Sequence, residues 1–483
     1  MVNKTKAVKP ANLLSTITGT YTDQYQLTMA QVYFLKGQKD NTAIFDYFFR
    51  KLPLMGGYAI FAGLEDLLEI LENLHFDEKD IRFLHEQGLH PEFLKYLETF
   101  RFEGNIYSSP EGNPVFPILP VLTVEAKIIE AQIIETLLLN ILNFQTLIAT
   151  KASRMRYVAG ERKLVDFGLR RAQSTGGYSA ARAAVIGGFD ATSNVRAGLD
   201  YGIPVSGTMA HSFVQSYDDE LTAFRDFADA RSDDCVLLVD TYDTINSGLP
   251  NAITVGKEME AKGHRLKGIR LDSGDLAYLA KTSRQMLNDA GLGYVEIAAS
   301  NQIDEHVIRS LNEQQAPIDL FGVGTSLVTG RPDAALDGVY KLAWAKKKPR
   351  IKLSETIAKI TLPHKKQVYR VMDGQGNFFG ADSAALFEEN HVDTMYHTTD
   401  PLKSLPVEEF EQVPQLHKVM EKGIRLHAPL SLNEIKQYSQ QRLKQLPAEY
   451  KRFDNPHDYK VGISTRLKNK RNQLIELYKQ KKV

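Results

Sequence analysis

The sequence has 483 residues, 43% hydrophobic and 24% charged, the proportions of a folded chain larger than one core usually serves, so two or three domains are expected. Lysine plus arginine and aspartate plus glutamate number 59 each, which removes any whole-chain pull toward nucleic acid or an anionic membrane; a polyanion would have to be held by a local cluster of donors. The single cysteine, Cys235, excludes an intrachain disulfide and a cysteine-based zinc cage, and fits a reducing, cytoplasmic setting.

Residues 1–10 carry charges but no following apolar block with a cleavage site, so no secretory signal is expected. The β-like runs 43–49 and 115–124 flank helical segments near 61–74 and 78–100, which predicts an α+β N-terminal domain over residues 1–145, joined by later segments. From 126 to 150, Ile129, Ile133, Leu137, Ile141, Phe144 and Ile148 recur at three- or four-residue spacing and predict one long helix bridging two domains. Lys127, Glu130, Glu135, Asn140 and Asn143 within it exclude a bilayer span.

The pattern then changes to short apolar runs ending near Val165, Val205, Val239, Leu271, Ala298 and Val323, each followed by a polar turn and a helical stretch. Steps of 25 to 40 residues between such ends suit parallel βα units, so the expected fold class is α/β, with an irregular α/β barrel over residues 146–345. Residues 346–483 read as a C-terminal extension: extended segments at 349–360 and 367–371, a hairpin turn at 373–377, and a basic helical tail from 466.

In a β/α barrel the strand C-termini share one mouth, so the turns after the runs would line a single pocket. Each also has a plain reading, since Asp, Ser and Thr cap helices. Gly322-Val323-Gly324-Thr325-Ser326 offers backbone amides and two hydroxyls to a phosphate, or simply permits a tight turn. Asp272-Ser273-Gly274-Asp275 follows Arg270 and sets two carboxylates three residues apart, suited to ribose hydroxyls or, through water, to Mg2+; capping is the alternative for Asp272.

Phe167 with Arg170 and Arg171 could stack a planar aromatic acid and pair with its carboxylate, or be a core ring beside surface arginines. His211, at a strand-to-helix junction among small residues, could take a phosphoryl group on one nitrogen while Asp240, at the next strand end, orients the other; a structural histidine is the alternative.

Taken together, 22–29 (TDQYQLTM), 166–171 (DFGLRR), 188–194 (GFDATSN), 207–212 (GTMAHS), 239–243, 268–276 and 322–326 resemble, in order and across nearly the whole chain, the nicotinate phosphoribosyltransferases of the type II phosphoribosyltransferase family. The segment 349–355 (PRIKLSE) is similar to the stretch that follows the barrel in that family. The resemblance implies joining of nicotinate to phosphoribosyl pyrophosphate, giving nicotinate mononucleotide and pyrophosphate, with coupled ATP hydrolysis and Mg2+, in NAD salvage. It also implies a head-to-tail homodimer with shared active sites.

Residue by residue, it makes His211 the transiently phosphorylated histidine, and Phe167 and Tyr25 the aromatics around the pyridine ring, Tyr25 reaching across the dimer. Arg170 (or Arg171), Thr208 and Arg270 fall around the base and its carboxylate. Asp272, Ser273 and Gly274 face the ribose, and Gly324, Thr325 and Ser326 the 5′-phosphate. No protein metal ligand is assigned. Ser193 aligns with an aspartate of the nicotinamide-using sister enzyme, where a carboxylate would repel nicotinate, so serine favours the acid. Nicotinamide or quinolinate phosphoribosyltransferase and a non-catalytic nucleotide-binding barrel are the alternatives.

Overall fold

A computed structural model of the protein describes residues 13–354 and 360–480. It contains two compact units: Lys151–Ala334, and a second formed by both flanks, Met1–Thr150 with Ala335–Val483.

The unit Lys151–Ala334 is built on six parallel strands: β1 (Lys163–Asp166), β2 (Ala191–Thr192), β3 (Val236–Leu238), β4 (Gly268–Leu271), β5 (Glu296–Ala299) and β6 (Leu320–Val323). Their order in the sheet is β2-β1-β6-β5-β4-β3, the chain order of a barrel interrupted between β2 and β3. Val205 extends the β2 side through a single parallel bridge to Thr192. The sheet curls around a lumen of about 470 Å³ to which every strand contributes, through Val165, Ala191, Val236, Arg270, Ala298 and Leu320. The opposite faces carry Leu164, Leu271, Ile297 and Phe321, all fully buried, as the two-residue period of a strand requires when helices cover the outside.

The expected α/β class is therefore the class observed, with corrections in detail. The run at 204–205 is one bridge rather than a strand, because Pro204 has no amide to donate to a ladder. Residues 191–192 form a strand too short for a periodic signal. The helix expected over 126–150 is a strand end (Leu122–Lys127), a short helix (Ile128–Ile133) and a long one (Glu135–Ala159), within which the boundary between units falls. Residues 78–100 form two helices, Glu78–Glu86 and Pro91–Glu98, separated by Gly88 at φ 81° and by Pro91, which starts the second.

The other unit holds a seven-stranded antiparallel sheet in the order Lys348–Pro349, Gly338–Ala345, Thr42–Phe49, Leu122–Lys127, Asn105–Ser108, His417–Glu421, Ile424–Arg425. One large apolar cluster, including Phe45, Tyr47, Phe49, Leu122 and Val124, packs against it. A second sheet of six strands includes Lys366–Met372 and Phe378–Leu386, joined by the expected turn, where Asp373 donates its amide to Asn377. The basic tail is helical over Thr465–Gln480. Residues 351–354 are irregular, and 355–359 lie outside the described residues. No helix among the described residues is long and apolar enough to cross a membrane.

Candidate active site

The C-terminal ends of the barrel strands carry five aspartates in turns, and their hydrogen bonds divide them into two kinds. Asp243, Asp275 and Asp304 are helix caps: each accepts two amides of the turn that follows, such as Ala277 and Tyr278 for Asp275. Asp240 and Asp272 cap nothing. Asp240 Oδ2 accepts the Asp272 amide at 2.8 Å and the Ser273 hydroxyl at 2.7 Å, while its Oδ1 is buried with no protein partner among the described residues. Asp272 Oδ1 accepts the Ser300 hydroxyl from the end of β5, leaving Oδ2 to face His211. Gly274, at φ 77°, lets the chain turn from Asp272 into the helix Leu276–Asp289.

His211 opens the short helix His211–Gln215. Its Nδ1 lies 3.2 Å from the Thr241 hydroxyl and its Nε2 3.8 Å from Asp272 Oδ2. The residue at Nδ1 is thus Thr241, next in sequence to the orienting partner expected there, Asp240, whose Oδ2 holds the Asp272 turn instead. The imidazole is 39% exposed, open enough to meet a phosphoryl donor.

Arg270, on β4, reaches the Thr208 hydroxyl and the Met209 carbonyl (3.1 Å), so it braces the segment that leads into His211. Its buried Nε has no partner among the described residues. Burial pulls the pKa of this guanidinium below the ordinary arginine value, with Asp272 and Asp240 opposing and Arg170 adding to the fall. An underpaired cation beside a second cation has a standing demand for an anion.

Phe167, just past β1, lines both the lumen and a larger cavity of about 730 Å³ at the strand ends. Room for its ring is made on β6: a Cβ at Gly322 would come within 2.4 Å of two ring carbons. Beneath it, buried Asp166 accepts the Gly168 amide and the Thr192 hydroxyl, both at 2.8 Å. Burial pushes this carboxyl above its usual range, against those two hydrogen bonds. The pair of bonds fixes the turn from Phe167 into Arg170 and Arg171, which lie exposed on a single helical turn, Leu169–Arg171.

Arg170, Arg171, Asp272, Gly324, Thr325 and Ser326 all line the larger cavity with Phe167. Gly324 precedes the one-turn helix Thr325–Val328, whose first amides have no intrahelical acceptor. Thr208 lines the lumen rather than this cavity, and Ser193 lines neither, donating its amide to the Asp166 carbonyl. Tyr25 belongs to the other unit, on the first turn of the helix Gln24–Leu35, where it is 52% exposed.

Sequence reading missed Lys151, Arg331 and the structural use of Thr241 and Ser300. Arg331 lies just past the one-turn helix that follows β6, and Lys151 lies twelve residues before β1; neither is in a strand-end turn, yet both line the cavity. Lys151 had one visible signal, a charge inside an apolar helical stretch.

The arrangement can hold an anion at Arg270, stack a flat ring on Phe167, and bring an imidazole to a carboxylate that borders a cavity large enough for a phosphorylated sugar. The nicotinate phosphoribosyltransferase (NAPRTase) family model matches residues 162–397, with its N-terminal and C-terminal domain models matching 20–143 and 365–471. The chain is 45% identical over 457 residues to the nicotinate phosphoribosyltransferase of Bacillus subtilis (strain 168), covering 92% of each chain. It is 33% identical over 517 residues to that of Homo sapiens, covering 94% of this chain and 96% of the other. The crystal structure of human nicotinic acid phosphoribosyltransferase aligns with a TM-score of 0.84 at 31% identity, over 94% of this chain and 99% of that one.

Proposed function

The chain belongs to the nicotinate phosphoribosyltransferase family, and we propose that it joins nicotinate to phosphoribosyl pyrophosphate, with ATP hydrolysis coupled through a phosphohistidine at His211. The observation that carries the reading is the approach of His211 Nε2 to Asp272 at 3.8 Å. It brings a nucleophilic imidazole next to a carboxylate on the wall of the sugar-sized cavity.

In this reading nicotinate stacks on Phe167 and its carboxylate meets Arg270, whose Nε lacks a partner among the described residues, or Arg170 near it. Tyr25 of a second copy covers the other face of the ring in a head-to-tail homodimer. Asp272, held by the Asp240-anchored turn, takes the ribose hydroxyls with Ser273 and Gly274. Gly324, Thr325 and Ser326 hold the 5′-phosphate. The unprotonated pyridine nitrogen attacks the anomeric carbon as the bond to pyrophosphate breaks and its electron pair leaves with the pyrophosphate; no general base is needed. In the coupled step an imidazole nitrogen attacks the γ-phosphorus of ATP and releases ADP, and water later takes the phosphoryl group as phosphate. A phosphohistidine beside the pyrophosphate changes local charge and hydrogen bonding, which is how the two reactions become linked.

Mg2+ is a further element of the proposal. Among the described residues no three His, Cys, Asp or Glu side chains converge as a metal cage. Asp272 and the unpartnered Oδ1 of Asp240 suit an ion that arrives on a polyphosphate and needs one or two carboxylates. Such an ion supplies charge neutralisation to the leaving pyrophosphate. The product would feed NAD salvage, and the setting would be cytoplasmic.

Two measurements test the reading. Pyrophosphate release from phosphoribosyl pyrophosphate should depend on nicotinate; release with nicotinamide or quinolinate instead, or with no base, rejects it. Turnover with γ-labelled ATP should leave acid-labile label on His211, and its absence removes the phosphohistidine.

A further inference from the structure

We propose that Lys151 is a phosphate-binding residue of this site, presented by Glu305 to the 5′-phosphate end of the phosphoribosyl substrate. The inference rests on the functional reading above, which leaves this lysine without a task.

Lys151 is 1% exposed, yet it lines the same cavity as Thr325 and Ser326. Its Nζ lies 2.5 Å from Glu305 Oε2, and the other oxygen of that carboxylate accepts Arg154 Nε at 3.1 Å. One buried carboxylate is thus shared by two cations. Burial works to raise the pKa of Glu305, but Lys151 and Arg154 together outweigh it and hold the carboxyl below its ordinary value, so Glu305 stays ionised. An ammonium has three donors, and among the described residues Glu305 is the one acceptor that meets it. A buried cation facing a cavity with donors to spare is the counterpart a phosphate needs.

The geometry is also rigid. Lys151 sits within the long helix Glu135–Ala159. Glu305 is the first residue of the helix Glu305–Glu313, beside the Asp304 cap. The turn before it, Ser300–Asp304, forms another part of the cavity wall, with Asn301 at φ 87° and Gln302 at φ 50°. Glu305 therefore fixes both the lysine and the end of that turn. A purely structural salt bridge has no need of the cavity wall, whereas a compact point charge with rotatable donors suits a phosphate that also takes hydroxyls and amides from 324–326.

The test uses the full chain and ribose 5-phosphate, a probe that carries the phosphate and cannot transfer. Lys151→Met should weaken its binding about tenfold or more and raise KM for phosphoribosyl pyrophosphate, leaving KM for nicotinate within about twofold. Lys151→Arg should recover part of the loss. Since Lys151→Met leaves Glu305 a cation short in the interior, the double variant Lys151→Met/Glu305→Gln removes that charge and keeps the test informative if the single variant misfolds. A folded double variant that binds ribose 5-phosphate as well as wild type overturns the proposal, and so does a wild type that does not bind it. Lysine-dependent binding in a wild type that releases no pyrophosphate would uphold the phosphate site and reject the functional reading.

Discussion

Two arginines with a buried Nε, one in each unit, solve the same problem in opposite ways. Arg370, in the second sheet, is 1% exposed and fully engaged: Nε and Nη2 meet Asp382 at 3.1 and 2.9 Å, Nη2 meets the Pro114 carbonyl at 2.7 Å, and Nη1 meets Asn113 at 3.0 Å. Its plane lies against Phe116 and Phe378, and Tyr459 donates to the same Asp382 at 2.7 Å. Burial works to lower its pKa, but Asp382 overrides that and leaves it raised. For Arg270 burial wins, and an Nε is left without a partner. Saturated polar groups bind the chain to itself, while groups left short at strand ends have capacity for a ligand.

The largest effect that tests this contrast is on stability. Arg370→Met leaves Asp382 without its cation among buried aromatics, and should cost about 3–5 kcal/mol. Chemical denaturation is the measurement, and the folded fraction should keep its KM for nicotinate. Near-native stability with lost activity would reverse the assignment of the two arginines. Arg270→Gln should do the opposite: kcat/KM for nicotinate falls by about 10²-fold, or ~2.7 kcal/mol, with little change in the denaturation midpoint. A midpoint that drops as far as that of Arg370→Met would make Arg270 a structural brace for Thr208 and nothing more.

How far the sequence discloses each arginine follows from the same contrast. The barrel strands were legible because β1, β3, β4, β5 and β6 are short apolar runs ended by polar turns, and Arg270 stands next to such a turn. The network of Arg370 was not: Asp382 is its cross-strand neighbour in the hairpin that turns at 373–377, but Asn113, and Tyr459 on the same Asp382, come from distant segments that only the folded chain assembles. Within the site, the residue types at the strand ends were readable, but their division of labour was not. Asp275 and Asp272 lie three residues apart in one turn; one caps a helix and the other faces His211, a difference set by Ser300 on another strand. The same limit hid the exchange of Asp240 for Thr241 beside His211.

The smallest predicted effect concerns a ring in each unit. Phe378 is pinned beneath Arg370, but Phe167 rests on open backbone, against Gly322 of β6. Gly322→Ala adds one methyl 2.4 Å from Phe167 Cδ2 and Cε2, closer than carbon atoms can sit, so the ring must move. The expected cost is about 1–3 kcal/mol in a packed setting, at the lower end here because the ring also borders open cavity. Its kinetic signature is a several-fold rise in KM for nicotinate, of order 1 kcal/mol, with KM for phosphoribosyl pyrophosphate held. Phe167→Ala provides the control: if the methyl acts through the ring, Gly322→Ala adds nothing further in that background, and the two losses are far from additive. Additive losses would mean that Gly322 serves the β6 strand and not the ring, and Phe167 would then be as fixed as Phe378.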